Sequence, residues 1–237
     1  MYITGIEKLP RKKNKIFIDG EYAFMLYDRD MAQYRLDGYD ETGGEITVAL
    51  YDRIMKETVI RRAHQKALAM LERMDRSEAE LKRRLKLDLY SDEVITETIN
   101  WLNGHHYLDD ERYAENYIRS HMQGSSRREL VAKLLAKGIS KEYIDTAYDV
   151  CSEEFDFGRN PDNMTLNGAS GNTGSIEREA AVKALSKKLG SRKTLTPKER
   201  MNAIGYMLRK GFRRNEIMEA FEVLDVSIDS GDIPDES

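Results

Sequence analysis

A single cysteine, four prolines and no long apolar run leave several protein classes without support in this 237-residue sequence. Cys151 alone cannot form an internal disulfide or a thiol-based zinc site. It falls in a helical apolar stripe with Tyr143, Ile144, Ala147, Tyr148 and Phe155, where a lone thiol packs as a small apolar group. The four prolines and sixteen glycines interrupt a chain dominated by Lys, Arg, Glu, Ala, Leu and Met, which favours helix over sheet. No apolar run approaches the roughly 18 residues of a membrane span. MYITGIEKLPRKKNK carries no signal-peptide apolar segment, so a cytoplasmic location without membrane contact is expected.

Catalytic and ligand-binding patterns are equally sparse. The pair Asp109-Asp110 stands at a helix start, where Asp caps free N–H groups, and adjacent side chains diverge too far to work as an acid/base pair. His105-His106, with His64 and His121, lacks the i, i+4 spacing of a helical metal pair. GASGNTGS has neither the Lys of a phosphate-binding loop nor a flanking buried strand. No catalytic residue, metal or cofactor is therefore expected. Tyr107, Tyr113, Tyr117, Tyr143 and Tyr148 recur at helical spacing, which assigns them to core packing rather than base stacking.

What the chain does contain is charge and helical periodicity. Residues 1–51 form a β-rich module: Lys15-Ile16-Phe17-Ile18 and Glu21-Tyr22-Ala23-Phe24-Met25-Leu26 flank Asp19-Gly20, a dipeptide suited to a type I′ hairpin turn. The basic cluster Arg11-Lys12-Lys13 precedes that hairpin as a solvated loop. From about residue 52 the period becomes helical. Ala63, Ala67, Met70, Leu71 and Met74 make one face, Leu81 and Leu85 a second, and Val94, Ile95, Ile99, Trp101 and Leu102 a third. Ser91 and Ser140 stand where N-cap hydroxyls accept, and Gly138 where a helix end needs positive φ.

The helical part repeats. A shift of 49 lays Leu81, Leu85, Tyr90, Ser91, Glu93 and Ile95 on Leu130, Leu134, Ile139, Ser140, Glu142 and Ile144; a further shift of 73 lays Leu135, Lys137, Gly138 and Ile144 on Leu208, Lys210, Gly211 and Ile217. The Asn/Gly/Ser-rich stretch 156–175 supplies the excess as a flexible linker. The expected order is repeat one at 52–108, repeat two at 109–155, the linker, repeat three at 176–226 and an acidic disordered tail at 227–237. The expected fold is mainly α: tandem three-helix repeats stacked into an elongated, curved body, with a small N-terminal sheet.

Repeat two reads D-x-x-Y-A-x-x-Y-I-x-S, a Gly, then R-R-E-L-V-A-K-L-L-A-K-G-I, and resembles the core of the RecX family of RecA regulators. R-S-E-A-E-L-K-R-R-L in repeat one and K-G-F-x-x-x-x-I in repeat three are similar to the flanking repeats of that family, and the N-terminal hairpin resembles an extension of its longer members. The resemblance covers about residues 60 to 225. It implies a non-enzymatic modulator that binds the RecA filament on DNA and suppresses its ATPase, strand-exchange and coprotease activities, and so shapes DNA repair and the SOS response. Two departures stand out. Leu89 replaces the glycine that ends the second helix of repeat one, so another geometry is expected there, and the linker before repeat three is long.

Independently of the resemblance, second helices are basic and third helices acidic. The partner-binding candidates are Lys82, Arg83 and Arg84; Arg127, Arg128, Lys133 and Lys137; and Lys187, Lys188, Arg192 and Lys193. Residues 176–214 hold twelve Lys or Arg against three Glu. Such a surface suits a protein wound on a polyanion, or DNA itself bound without sequence preference. On a helical wheel Arg127, Arg128 and Lys137 fall at or beyond the edges of the apolar arc of Leu130, Val131, Leu134 and Leu135, and so are expected to point outward. A monomeric RecA-filament regulator is the leading expectation, with an autonomous helical DNA-binding protein as the alternative.

Overall fold

The computed structural model describes residues 1–39, 43–157 and 173–228. The chain divides into two compact units, Met1–Asp109 and Asp110–Ser237.

The first unit opens with an antiparallel sheet of order β3-β2-β1-β4, built from β1 (Tyr2–Leu9), β2 (Lys13–Ile18), β3 (Glu21–Tyr27) and β4 (Gly44–Glu45). The hairpin at Asp19-Gly20 has φ of 51° and 89°, the paired positive values of a type I′ turn. The Asp19 carboxylate accepts the Tyr2 N–H at 2.8 Å, and the Gly20 N–H donates to the Thr4 hydroxyl at 2.9 Å, which ties the turn to β1. Strand β1 escaped the sequence reading because a register shift between Ile3 and Gly5 breaks its alternation. Arg11 and Lys12 consequently form the turn between β1 and β2, both at positive φ.

The 1–51 region is also less purely β than expected. It holds α1 (Asp28–Gln33), and α2 (Val48–Ile54) starts where the Thr47 hydroxyl accepts the Leu50 N–H at 3.2 Å. A wider π segment, Met55–Ile60, carries α2 into α3 (Arg61–Arg73). Ile3, Ile16, Phe24 and Leu26 from the sheet bury against Ile54, Val59 and Ala63 from these helices. Asp30, itself buried, accepts the Tyr27 N–H at 2.9 Å and a two-pronged hydrogen bond from Arg62, one arm at 2.7 Å. Burial pushes the Asp30 carboxyl up, but these donors outweigh it and hold it below the usual range.

Two further helices, α4 (Glu78–Leu87) and α5 (Asp92–Gly104), complete a triple with α3 around Ala67, Leu81, Leu85, Ile95, Ile99 and Leu102. Met74, expected on the α3 face, is 60% exposed because the helix stops at Arg73 and Met74 is extended.

The second unit repeats the triple twice. α6 (Asp110–His121), α7 (Arg127–Ala136) and α8 (Lys141–Phe157) enclose Ala114, Ile118, Leu130, Leu134, Ile144 and Cys151, whose thiol burial pushes up. α9 (Thr173–Leu189), α10 (Pro197–Arg209) and α11 (Arg214–Val223) enclose Ala181, Leu185, Met207, Phe212, Ile217 and Phe221. Ile176 of α9 enters the core of the preceding triple, so the two share apolar contact. Of the linker 156–175, residues 156–157 and 173–175 belong to α8 and α9, and 158–172 lie outside the described residues. Of the tail, Ser227-Ile228 form β6, paired in parallel with β5 (Thr194–Leu195); residues 229–237 lie outside the described residues.

The three second helices start and stop alike. Ser77, Ser126 and Thr196 each accept the N–H of a Glu three residues on, at 3.2, 3.1 and 3.3 Å. Ser140 caps α8 by accepting the Tyr143 N–H at 3.2 Å. Ser91 holds the N-cap position of α5 without a capping bond; its hydroxyl is buried and finds no hydrogen-bond partner among the described residues. At the far ends, Gly138 and Gly211 take φ of 84° and 88°, and Leu89 takes 68°. The expectation of a different geometry at Leu89 is overturned. Leu89 N–H bonds the Lys86 carbonyl at 3.1 Å and Tyr90 N–H the Leu85 carbonyl at 3.2 Å, the same closing pair that Gly211 and Phe212 make.

Candidate functional site

The eleven predicted cations lie on the second helices or around the end of α9, and the structure sorts them by what they touch. On α4, Lys82 pairs with Glu78 at 2.6 Å, and Arg83 donates to the Ala79 carbonyl at 3.3 Å, while the Arg84 side chain is exposed with no hydrogen bond or ion pair among the described residues. On α7, Arg128 is likewise exposed and unpaired among them. Lys133 is held by Glu129 at 2.8 Å.

Arg127 and Lys137 do not project freely, contrary to the helical-wheel expectation. The Arg127 guanidinium lies 4.5 Å from the Tyr148 ring centroid and 3.2 Å from Asp145, both on α8. Lys137 sits over the Tyr113 ring at 5.5 Å. Leu135, placed in the apolar arc, is instead 48% exposed. A wheel gives angle only, and a four-atom stem can bend back across a neighbouring helix.

Near repeat three, Lys187 and Lys193 are exposed, Lys188 covers the Tyr206 ring at 5.0 Å, and Arg192 pairs with Glu199 at 3.1 Å. The outward-facing cations are thus Arg83, Arg84, Arg128, Lys187 and Lys193. The acidic third helices partly serve their own triples: Glu97 meets His64 at 2.8 Å, Glu154 meets Arg119 at 2.9 Å and Glu219 meets Arg178 at 3.3 Å, each a first-helix partner. Exposed pairs of this kind add little stability, but they reduce the charge left for a partner.

Two groups of residues were missed. One is the junction of α7 and α10. The Ser126 hydroxyl, besides capping α7, donates to the Lys210 carbonyl at 2.6 Å, and the Lys210 ammonium reaches Glu129 at 3.3 Å. Glu177 of α9 accepts the Arg127 N–H at 2.8 Å and faces the Tyr148 hydroxyl at 3.4 Å. The Ser-x-x-Glu spacing was the available sequence signal. The second group is aromatic, its residues named from the sequence singly but not as stacks: Tyr113, Tyr117 and His121 form a ladder along α6, with rings 6.4 and 4.2 Å apart, and Trp101 stacks on His64 at 4.2 Å. Tyr148 is buried as expected and Tyr113 and Tyr117 partly so, but Tyr107 and Tyr143 are exposed, which corrects their assignment to the core.

Among the described residues no helix is long and apolar enough to cross a membrane. The fold and these surfaces define a class: a protein of tandem three-helix repeats, with charged second helices, joined to a small N-terminal antiparallel sheet.

Comparison with known proteins names the class. Residues 63–102 match the first three-helix domain of RecX and residues 109–147 the second. A regulatory protein RecX of Bacillus licheniformis is 30% identical over 235 residues, covering 97% of this chain and 80% of its own length. That of Caldanaerobacter subterraneus subsp. tengcongensis is 35% identical over 147 residues, covering 61% and 73%. A crystal structure of regulatory protein RecX superposes with a TM-score of 0.51 at 20% identity over 94% of this chain and 98% of that one, a likeness of fold. The chain belongs to the RecX family of regulatory proteins.

Proposed function

We propose that this protein is a monomeric, cytoplasmic, non-enzymatic regulator that binds the RecA filament on DNA and inhibits its ATPase, recombinase and coprotease activities, thereby modulating DNA repair and the SOS response. The observation that carries this reading is the match of two successive triples to the two RecX three-helix domains. Outward-facing cations on the second helices support it, since Arg84 and Arg128 keep their charge for an acidic or phosphate partner.

ATP hydrolysis by RecA on single-stranded DNA is the direct test. Substoichiometric amounts of the protein should suppress it. The variant Arg128→Glu should weaken that suppression several-fold while leaving stability within about 0.5 kcal/mol, because the side chain is exposed and outside any ion pair among the described residues. Arg127 is the wrong residue for this purpose, being committed to Tyr148 and Asp145. Unchanged hydrolysis, together with tight sequence-selective binding to duplex DNA, would instead establish an autonomous DNA-binding protein.

A further inference from the structure

The N-terminal sheet has a second face, turned away from the core, which the helices meet at the β3 edge, where the Tyr22 hydroxyl donates to the Leu89 carbonyl and Arg62 lies over the Tyr27 ring at 5.3 Å. Ile16, Ile18, Phe24 and Leu26 point into the core, so the alternate positions point away from it. Cross-strand pairing sets Gly5 beside Phe17, Glu7 beside Lys15, Leu9 beside Lys13, and Lys15 beside Met25. A face turned to water normally carries polar side chains. Here Leu9, Phe17 and Met25 lie among two lysines, all only partly buried. Phe17 lies across Gly5, where a Cβ would stand 3.8 Å from its ring, and meets Tyr22 edge-on at 5.9 Å.

The charge around this floor is mostly of one sign. Lys13 and Lys15 lie on it and Arg11 and Lys12 at its end, against Glu7, which pairs with Lys15 at 3.3 Å, and Asp28, whose carboxylate turns to the Asn14 amide at 2.8 Å. Arg11 and Lys12 form the turn at its end, exposed and without an ion pair among the described residues. An aromatic ring with aliphatic neighbours offers a stacking surface that any free base fits, and lysines at this spacing meet a phosphate backbone. Bases in a duplex have no free face to offer. We propose that this face of the sheet binds single-stranded DNA, Phe17 stacking a base while Lys12 and Lys13 hold the backbone. The choice of DNA over RNA rests on the regulatory reading above; the stacking surface does not.

Fluorescence anisotropy of the full chain without RecA, titrated against a labelled oligo-dT of about twenty nucleotides at several salt concentrations, tests this. Phe17→Leu keeps Gly5 covered yet removes the ring. It should weaken binding about tenfold, the size of one lost base stack, and leave the salt dependence unchanged. Lys12→Gln combined with Lys13→Gln should weaken binding and flatten the log–log salt slope by about 1.4, since each backbone contact on a single strand contributes about 0.7. Circular dichroism and melting curves matching the parent would show both variants folded. Parental affinity in both folded variants, preference for the duplex, or no binding by the parent chain overturns the proposal, and tighter binding to oligo-rU than to oligo-dT overturns the choice of DNA. Suppression of RecA by a parent chain that ignores the oligonucleotide removes this inference alone; oligonucleotide binding through the sheet without any effect on RecA removes the regulatory reading alone.

Discussion

The helices α4 and α10 end on the same pair of hydrogen bonds, yet one has leucine at the left-handed position and the other glycine. The closing geometry therefore does not decide the residue. Surroundings do. At Gly211 a Cβ would stand 2.8 Å from Ser126 Oγ and 3.0 Å from Arg128 Cβ, because α7 begins there. At Leu89 the side chain is only half-buried, and its carbonyl accepts a short hydrogen bond from the Tyr22 hydroxyl of β3. That phenol is pushed up to about 12 by burial and the neighbouring Tyr90, so it stays a donor throughout the physiological range. Glycine is needed where another helix closes on the turn, and strain is tolerated where a strand holds it.

Gly211→Ala should break this comparison hardest. It combines left-handed strain of about 1–2 kcal/mol with displacement of the Ser126 hydroxyl from the Lys210 carbonyl, worth about 1 kcal/mol more. A loss of about 2–3 kcal/mol in denaturant unfolding is expected. Hydrogen exchange should rise in α7 and α10 while the first unit is unaffected. An unchanged midpoint would mean that the α7–α10 junction is looser than its hydrogen bonds indicate.

Leu89→Gly should act in the opposite sense. Relief of the left-handed strain outweighs the extra flexibility glycine gives the unfolded chain, for a gain of about 0.5–1 kcal/mol. Destabilisation instead would show that packing of the Leu89 side chain, not its φ, dominates there. Thermal melts of the parent and this variant are sufficient to decide.

These contrasts mark what the sequence made legible. The Asp19-Gly20 hairpin, the repeat offset of 49 and the triple of helices in each repeat were readable because each is written in local spacing. Strand β1 was not, since the register shift between Ile3 and Gly5 broke its alternation. The offset of 73 concealed a longer helix: the caps Ser126 and Thr196 are 70 apart but the end glycines 73, so α10 itself contributes to the excess assigned to the linker. Among the candidate cations, residue type and helix were legible, but availability was not. Arg127 and Arg128 are neighbours in sequence, and only the position of Tyr148 on another helix commits the first and leaves the second exposed. The same limit applies to hydroxyls: Ser91 and Ser126 both precede helices, yet only Ser126 has its oxygen turned to cap.

The smallest expected effect concerns two carboxylates of the second unit that titrate in opposite directions. Burial pushes Glu129 up, but hydrogen bonds from Lys133 and Lys210 outweigh it and hold the group below the usual range. For Glu177 burial prevails, aided by the nearby Glu216, and its carboxyl is raised even though it accepts the Arg127 N–H. A depressed carboxyl contributes stability above its unfolded value, near 4.5, that is lost as pH falls through the folded value. A raised one works the other way: its contribution is full below about 4.5 and is lost as pH rises through the folded value. Glu177→Gln keeps an oxygen for the Arg127 N–H and cannot ionise. Relative to the parent it should gain on the order of 0.5 kcal/mol at pH 7, the difference shrinking toward zero as pH approaches 4. Urea midpoints of both proteins at the two pH values measure this. A difference that does not change with pH would mean that Glu177 ionises at no cost, and hence that the α7–α9 contact admits water; the same comparison with Glu129→Gln should show a loss of stability at pH 7 that fades on acidification.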